Sequence, residues 1–207
     1  MSKMNLPNKL TVLRLILVPV ILAVGFLTPK NDGSLWFYIS SAICALIFIA
    51  ASITDMLDGK IARKYGLITD FGKFMDPVAD KFMVIGALFV ILYKFPALEL
   101  FMMITLIVIV FRELAVTSMR LVVSTGSNIV VAANMLGKIK TVSQIVAIVA
   151  VLLEPVLQFA IFGHQFTWNN CNIVPLTWLS LAFALVMTVW SGINYIAAYW
   201  KYLDPEK

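Results

Sequence analysis

Asp55-Met-Leu-Asp58-Gly59-Lys-Ile-Ala62-Arg63 is followed, eight residues on, by Gly72-Lys-Phe-Met-Asp76-Pro-Val-Ala-Asp80. The chain has 11 acidic residues, and five of them, Asp55, Asp58, Asp70, Asp76 and Asp80, fall within this stretch. Asp55 and Asp58 are three apart, so on a helix they share one face; Asp76 and Asp80 are four apart and do the same. The short connection from Lys64 to Thr69 makes the two helices antiparallel neighbours. Both acidic pairs then lie at one depth and can face each other.

Carboxylates gathered in a poorly solvated place must protonate, separate or bind cations. Two divalent ions would neutralise four of them, and oxygen-only ligation suits Mg2+ or Mn2+. The competing reading is that some acids cap helices or pair with Lys60, Lys73 and Lys81. That reading is preferred for Asp70, which begins the second helix of the pair where an N-cap is expected. For Asp55, Asp58, Asp76 and Asp80 metal binding is preferred, because ionisable groups at membrane depth are rarely kept without a use. Gly59, Ala62 and Gly72 leave room for a ligand, or equally for a helix, to come close. Arg63 can fork onto a phosphate or simply anchor at head groups. Pro77 would clash with the Lys73 carbonyl, so a kink or an unwound turn is expected there.

The surroundings of this stretch are apolar. Of the 207 residues, 61% are hydrophobic and 13% charged, far from the balance of a soluble domain. The length suits one domain, residues 1–207. A helix crosses the hydrocarbon in roughly 20 residues, and six segments are long enough, near 8–28, 35–64, 70–94, 98–123, 135–160 and 174–202. Turn-rich Pro29–Gly33, Gly66, Pro96, the polar run Ser124–Asn128 and the polar loop Gly163–Asn172 separate them. The first segment, with Arg14 near its start, reads as a membrane helix rather than a cleaved signal. With the N-terminus in the cytoplasm, fourteen of the 16 Lys and Arg fall in or near the cytoplasmic half, and only Lys30 and Lys94 fall outside. The expectation is an all-α integral membrane fold of six spans with both termini cytoplasmic. The formal charge of +5 then points to anionic lipid or an anionic substrate, not nucleic acid. Cys44 lies in an apolar run and Cys171 in a loop, so neither a disulfide nor thiolate metal binding is expected.

The two quoted blocks match, at every defining position and spacing, the signature of the CDP-alcohol phosphatidyltransferase family, which this chain therefore resembles. The resemblance implies a six-helix membrane enzyme that moves a phosphatidyl group from CDP-diacylglycerol to a small alcohol. It implies that Asp55, Asp58 and Asp76 ligate metal and that Asp80 completes the site and serves as general base. It places Thr54, Asp58, Gly59, Ala62, Arg63, Thr69 and Gly72 around the CDP-diacylglycerol head group. Divalent metal on the donor's pyrophosphate would stabilise departing CMP, while a carboxylate accepts the proton of the attacking hydroxyl. A second resemblance, carried by Asn5-Leu-Pro7-Asn8-Lys-Leu-Thr11-Val-Leu-Arg14, by Phe111-Arg112-Glu113 through Arg120, and by Leu136-Gly137-Lys138-Ile-Lys140-Thr141, is to the bacterial phosphatidylglycerophosphate synthase branch. It implies glycerol 3-phosphate as acceptor, a homodimer, and a bacterial inner membrane with the site on the cytoplasmic side.

The charges bear on the acceptor separately. Arg112, Arg120, Lys138 and Lys140 bracket one short connection and can converge on a phosphate, as a dianionic acceptor requires; alternatively they are positive-inside anchors. Glu113 is the natural partner of Arg112. His164, alone of its kind, falls in the loop on the opposite side and reads as a surface residue. Rival functions are transfer to inositol phosphate, serine or phosphatidylglycerol, a divalent-cation transporter, and a bare scaffold. A single acidic cluster near one surface argues against transport, where repeats and a midplane site are common.

Overall fold

A computed structural model describes residues 5–67, 69–127, 135–168, 171–172 and 174–200. The described chain is helical: α1 (Leu6–Phe26), α2 (Leu35–Tyr65), α3 (Asp70–Lys94), a 3-10 turn (Pro96–Leu98), α4 (Glu99–Ser127), α5 (Met135–Phe162) and α6 (Pro175–Tyr199). Two-residue strands, β1 (Thr167–Trp168) and β2 (Cys171–Asn172), pair antiparallel in the loop before α6. Five helices, α1, α2, α4, α5 and α6, are long and apolar enough to cross a membrane. The first half of α3 carries Asp70, Lys73, Asp76, Asp80 and Lys81, which keeps it out of that group.

The helix ends have local causes. Ser34 caps α2 by accepting from the Phe37 N–H at 3.2 Å. Gly66 stops α2 in the left-handed conformation, φ 64°, and the Leu67 N–H donates back to the Ala62 carbonyl at 3.0 Å. Thr69 caps α3 by accepting from the Gly72 N–H at 3.0 Å. The first turn of α6 is capped from another helix: Glu154 of α5 accepts from the N–H groups of Leu176 and Thr177, at 3.1 and 2.6 Å.

α1 lies against α2 and α3, α2 against α5, α3 against α4 and α5, and α6 against α4 and α5. The shared core includes Val18, Ile21, Phe37, Phe48, Met83, Ile91, Ile148 and Leu152, all fully buried or nearly so. α1 and α3 approach closely at two glycines. A Cβ on Gly25 would sit 2.5 Å from Val90, and one on Gly86 would sit 2.9 Å from Val18. Such small residues let helices pack where lipid gives no hydrophobic drive for association. Outward, the surface is apolar: Ile16, Leu46, Leu100, Ile107, Leu179 and Val186 are all exposed. At the far end of α3, buried Lys94 donates to Ser40, Thr28 and the Pro29 carbonyl at 2.7, 2.9 and 3.1 Å, tying the α1–α2 connection to α3.

The segments expected from hydropathy match these helices to within a few residues, with corrections. α4 does not stop at Val123 but runs on through Ser127. Polar composition does not end a helix, and the glycine in that run costs only about 1 kcal/mol relative to Ala. α3 stays helical through Pro77, so of the kink or unwound turn expected there the unwound turn is absent. The α3 N-cap is Thr69; Asp70 is the first helical residue, exposed, and pairs with Lys73 at 3.0 Å. His164 is exposed, with its ring against Phe166. Cys44 is buried and free. The side chain of Cys171 lies outside the description, as do Lys3, Lys201 and Lys207.

Candidate active site

The acidic residues sit where two helix ends meet. Asp55 and Asp58 fall in the last three turns of α2, and Asp76 and Asp80 in the second and third turns of α3. Asp55, Asp76 and Asp80 line one cavity of about 580 Å³. Asp58 is buried behind it, joined to Asp55 by Arg14 of α1. The Arg14 side chain is 0% exposed. Its Nη1 lies 2.6 Å from Asp55 Oδ1, and its Nη2 donates to Asp58 Oδ2 at 2.5 Å. One turn earlier on α1, Thr11 Oγ1 lies 2.6 Å from Asp76 Oδ1 and 3.2 Å from the Pro7 carbonyl. Its single proton belongs on the shorter bond, to the carboxylate. Asp80 has neither a hydrogen bond nor an ion pair to another described residue.

The donor set fits a hard divalent cation: carboxylate oxygens only, with three of the aspartates lining one cavity. As placed, no three acidic, His or Cys side chains among the described residues close into a ligand set. Arg14 holds Asp55 and Asp58 and Thr11 holds Asp76 in the arrangement seen.

The cavity is also cationic. Arg112 and Arg120 of α4 and Lys138 and Lys140 of α5 line the same cavity, with Lys81 of α3. Glu113 accepts from Arg112 at 3.2 Å and pairs closely with Lys140. It is therefore a partner of both cations, as its place in the sequence suggested for the first. Lys81 donates to Thr117 at 2.6 Å, bridging α3 to α4. The expected cluster of four cations is thus brought together, within the cavity that Asp55, Asp76 and Asp80 also line.

The residues expected around the donor head group stand elsewhere; Gly59, Ala62, Arg63, Thr69 and Gly72 are not part of this cavity wall. Gly59 is open: a Cβ there would meet only the Arg63 guanidinium, at 3.8 Å. Gly72 is not open. A Cβ there would lie 3.1 Å from Asn8 Oδ1 and 3.3 Å from Thr69 Oγ1, so its missing side chain makes way for α1. Thr69 is engaged as a cap and donates to Asn8 Oδ1 at 3.0 Å. Thr54 donates to the Ala51 carbonyl of its own helix at 2.7 Å.

The sequence reading singled out the stretch of α1 that holds Asn8, Thr11 and Arg14 but gave these side chains no place in the site, and it missed the contribution of α6. Ser191 and Tyr195 of α6 complete the cavity wall. The Tyr195 hydroxyl is buried without a partner among the described residues. A Cβ on Gly192 would lie 3.1 Å from Arg112 Cγ, which shows how tightly α6 backs that arginine.

Comparison with known proteins agrees with this geometry. The family model described as CDP-alcohol phosphatidyltransferase matches residues 4–190. A Bacillus subtilis protein named CDP-diacylglycerol--glycerol-3-phosphate 3-phosphatidyltransferase is 42% identical over 207 residues, covering 98% of each chain. Proteins of the same name from Rickettsia felis and Yersinia enterocolitica are 32% and 31% identical. They cover 96% and 98% of this chain, and 97% and 100% of their own. A match of this extent, on a chain whose two acidic helix ends meet at one cavity, establishes that the protein belongs to the CDP-alcohol phosphatidyltransferase family.

Proposed function

We propose that the protein transfers the phosphatidyl group of CDP-diacylglycerol to glycerol 3-phosphate, giving phosphatidylglycerol phosphate and CMP. The observation that carries this reading is one cavity lined both by carboxylates, Asp55, Asp76 and Asp80, and by cations, Arg112, Arg120, Lys138 and Lys140. Attack by an alcohol needs a base, which a carboxylate can supply, and an acceptor that already bears a phosphate needs cations in the same cavity. The names of the relatives point to the same pair of substrates.

Within this reading Asp55, Asp58, Asp76 and Asp80 hold Mg2+ or Mn2+, which when bound neutralises the donor's pyrophosphate and the leaving CMP. Because Arg14 already offsets part of the acidic charge, one ion would nearly balance the remainder, and two would leave a positive site for the anionic donor. Asp80 takes the proton of the attacking hydroxyl. Gly59 and Arg63, with Thr54, Asp58, Ala62, Thr69 and Gly72, meet the donor's head group. The four cations of α4 and α5 bind and orient the acceptor phosphate, so that attack on the lipid-bearing phosphorus is a matter of positioning.

The same reading gives residues 1–207 one membrane domain, in keeping with a core that continues across α1 to α6 and a family match over most of the length. α3 crosses as a sixth span, its charged half at the cytoplasmic surface, with both termini and the site on that side. The positive-inside excess supports this placement. The protein then lies in the cell membrane as a multi-pass enzyme and works as a homodimer.

Purified protein incubated with CDP-diacylglycerol, Mg2+ or Mn2+ and each acceptor in turn should release CMP with glycerol 3-phosphate. Release with serine or inositol phosphate alone would overturn the acceptor, and none with any acceptor would overturn the enzyme. Arg120→Ala and Lys138→Ala should each raise the acceptor KM about tenfold or more, the scale of losing a charge-assisted hydrogen bond, with the donor KM little moved. A shift confined to the donor KM would misplace the phosphate pocket. Gly59→Ala should leave the fold intact, since only a flexible guanidinium end lies near and Ala favours helix by about 1 kcal/mol. It should raise the donor KM severalfold; an unchanged donor KM would take Gly59 away from the head group.

A further inference from the structure

Three polar side chains of α1 each end on a different part of the site. Asn8 accepts from Thr69, the residue that caps α3, and lies against Gly72. Thr11 donates to Asp76. Arg14 spans Asp55 and Asp58. The spacing of three residues puts them on one face of the helix, one above another. All three are buried, at 8%, 1% and 0% exposure, in a helix otherwise apolar toward its neighbours. Polar groups so placed at membrane depth are costly unless paired, and here the principal partners are the acidic residues and the cap that starts their helix.

We infer that the Asn8–Thr11–Arg14 face of α1 is the positioning layer of the metal site. It supplies no ligand and touches no substrate, but fixes the rotamers of Asp55, Asp58 and Asp76 and the start of α3. The geometry divides the work. The planar Arg14 guanidinium donates to Asp58 and forms an ion pair with Asp55 from its other nitrogen, so it sets the distance between the two α2 acids. Thr11 turns Asp76 by occupying one of its oxygens and leaving the other for an ion. Asn8 holds the α3 cap and so the height of Asp76 against α2. Partners that orient a ligating group commonly change metal affinity by 10- to 100-fold when removed.

This inference rests on the reading of the four aspartates as a metal centre, and the test separates the two. Mn2+ binding to the purified full-length protein is followed by electron paramagnetic resonance, in wild type, Thr11→Val, Thr11→Ser and Arg14→Lys. Val keeps the shape of Thr and loses the hydroxyl; Lys keeps the charge and loses the planar guanidinium that reaches both acids. Thr11→Val should weaken Mn2+ binding about tenfold and raise the Mn2+ needed for half-maximal CMP release by the same factor, with the acceptor KM unchanged. Thr11→Ser should restore both, and Arg14→Lys should weaken binding as Thr11→Val does. A protein merely loosened by the substitution would show no such rescue and no separation of metal from acceptor. Wild-type affinity in both Thr11→Val and Arg14→Lys overturns the positioning layer alone. Failure of the wild type to take up Mn2+ overturns the metal centre and this inference with it.

Discussion

Asp80→Asn is expected to lower the rate of CMP release by about a thousand-fold, within the range that a general base contributes, while CDP-diacylglycerol binding stays close to wild type. The four aspartates are not equivalent in the structure. Asp55 and Asp58 are engaged by Arg14, and Asp76 by Thr11. Asp80 lines the cavity and, among the described residues, has no hydrogen bond or ion pair that would occupy its oxygens. A carboxylate already accepting strong bonds is a poor proton acceptor; a free one facing the cavity is available. Asn has the same shape, cannot accept the proton, and removes one negative charge, so the donor should bind no worse. Single-turnover measurement with pre-bound donor separates the outcomes. A slow chemical step with retained donor affinity supports the assignment. Retained turnover would remove Asp80 as the base, and loss of donor binding in parallel with rate would make it a ligand first.

Much of this site is legible in the residues before any coordinates. The acid spacings of three and four predict shared helix faces, and Gly66 is where α2 ends, because helix periodicity and a left-handed glycine are local properties. The short connection from Lys64 to Thr69 predicts that α2 and α3 are neighbours, but they touch only slightly, and each packs mainly against α1. The cations at Arg112, Arg120, Lys138 and Lys140 are near each other in sequence on either side of one connection, so their meeting also follows from chain order. What was missed lies far away in the chain. Arg14 reads in sequence as one more positive-inside residue, and nothing local says that it reaches 44 positions on to Asp58. The usable signal was Asn8, Thr11 and Arg14 at intervals of three in an apolar run. A polar face on a membrane helix has to meet something. α6 carried less signal still: Ser191 and Tyr195 are ordinary residues for a span, and only packing against α4 and α5 turns them to the cavity. The choice of Thr69 over Asp70 as the cap was a one-position matter that composition cannot decide, because both residue types cap well.

Arg14→Gln is expected to lower the unfolding temperature by about 10 °C in the same detergent, the largest stability loss of any single substitution near the site. The arginine is 0% exposed and its partner Asp58 5%, so removing the guanidinium leaves a carboxylate buried without its counter-charge. Breaking a buried pair from one side costs about 3–5 kcal/mol, and for a chain of this size each 1 kcal/mol moves the midpoint by about 2–4 °C. The ion pair with Asp55 adds little, because that side chain is 40% exposed and water screens it. The penalty comes from the orphaned charge rather than from the attraction lost, which makes a second measurement decisive. Arg14→Leu combined with Asp58→Leu removes both charges, and such replacements are often neutral or stabilising. The double variant should therefore recover most of the lost melting temperature while remaining inactive. Recovery of stability without activity would mean that the buried pair is maintained for the geometry of the acidic site, at a cost to the fold. If the double variant instead melts as low as Arg14→Gln, the arginine is a packing element of α1, and its contact with the aspartates is incidental to stability.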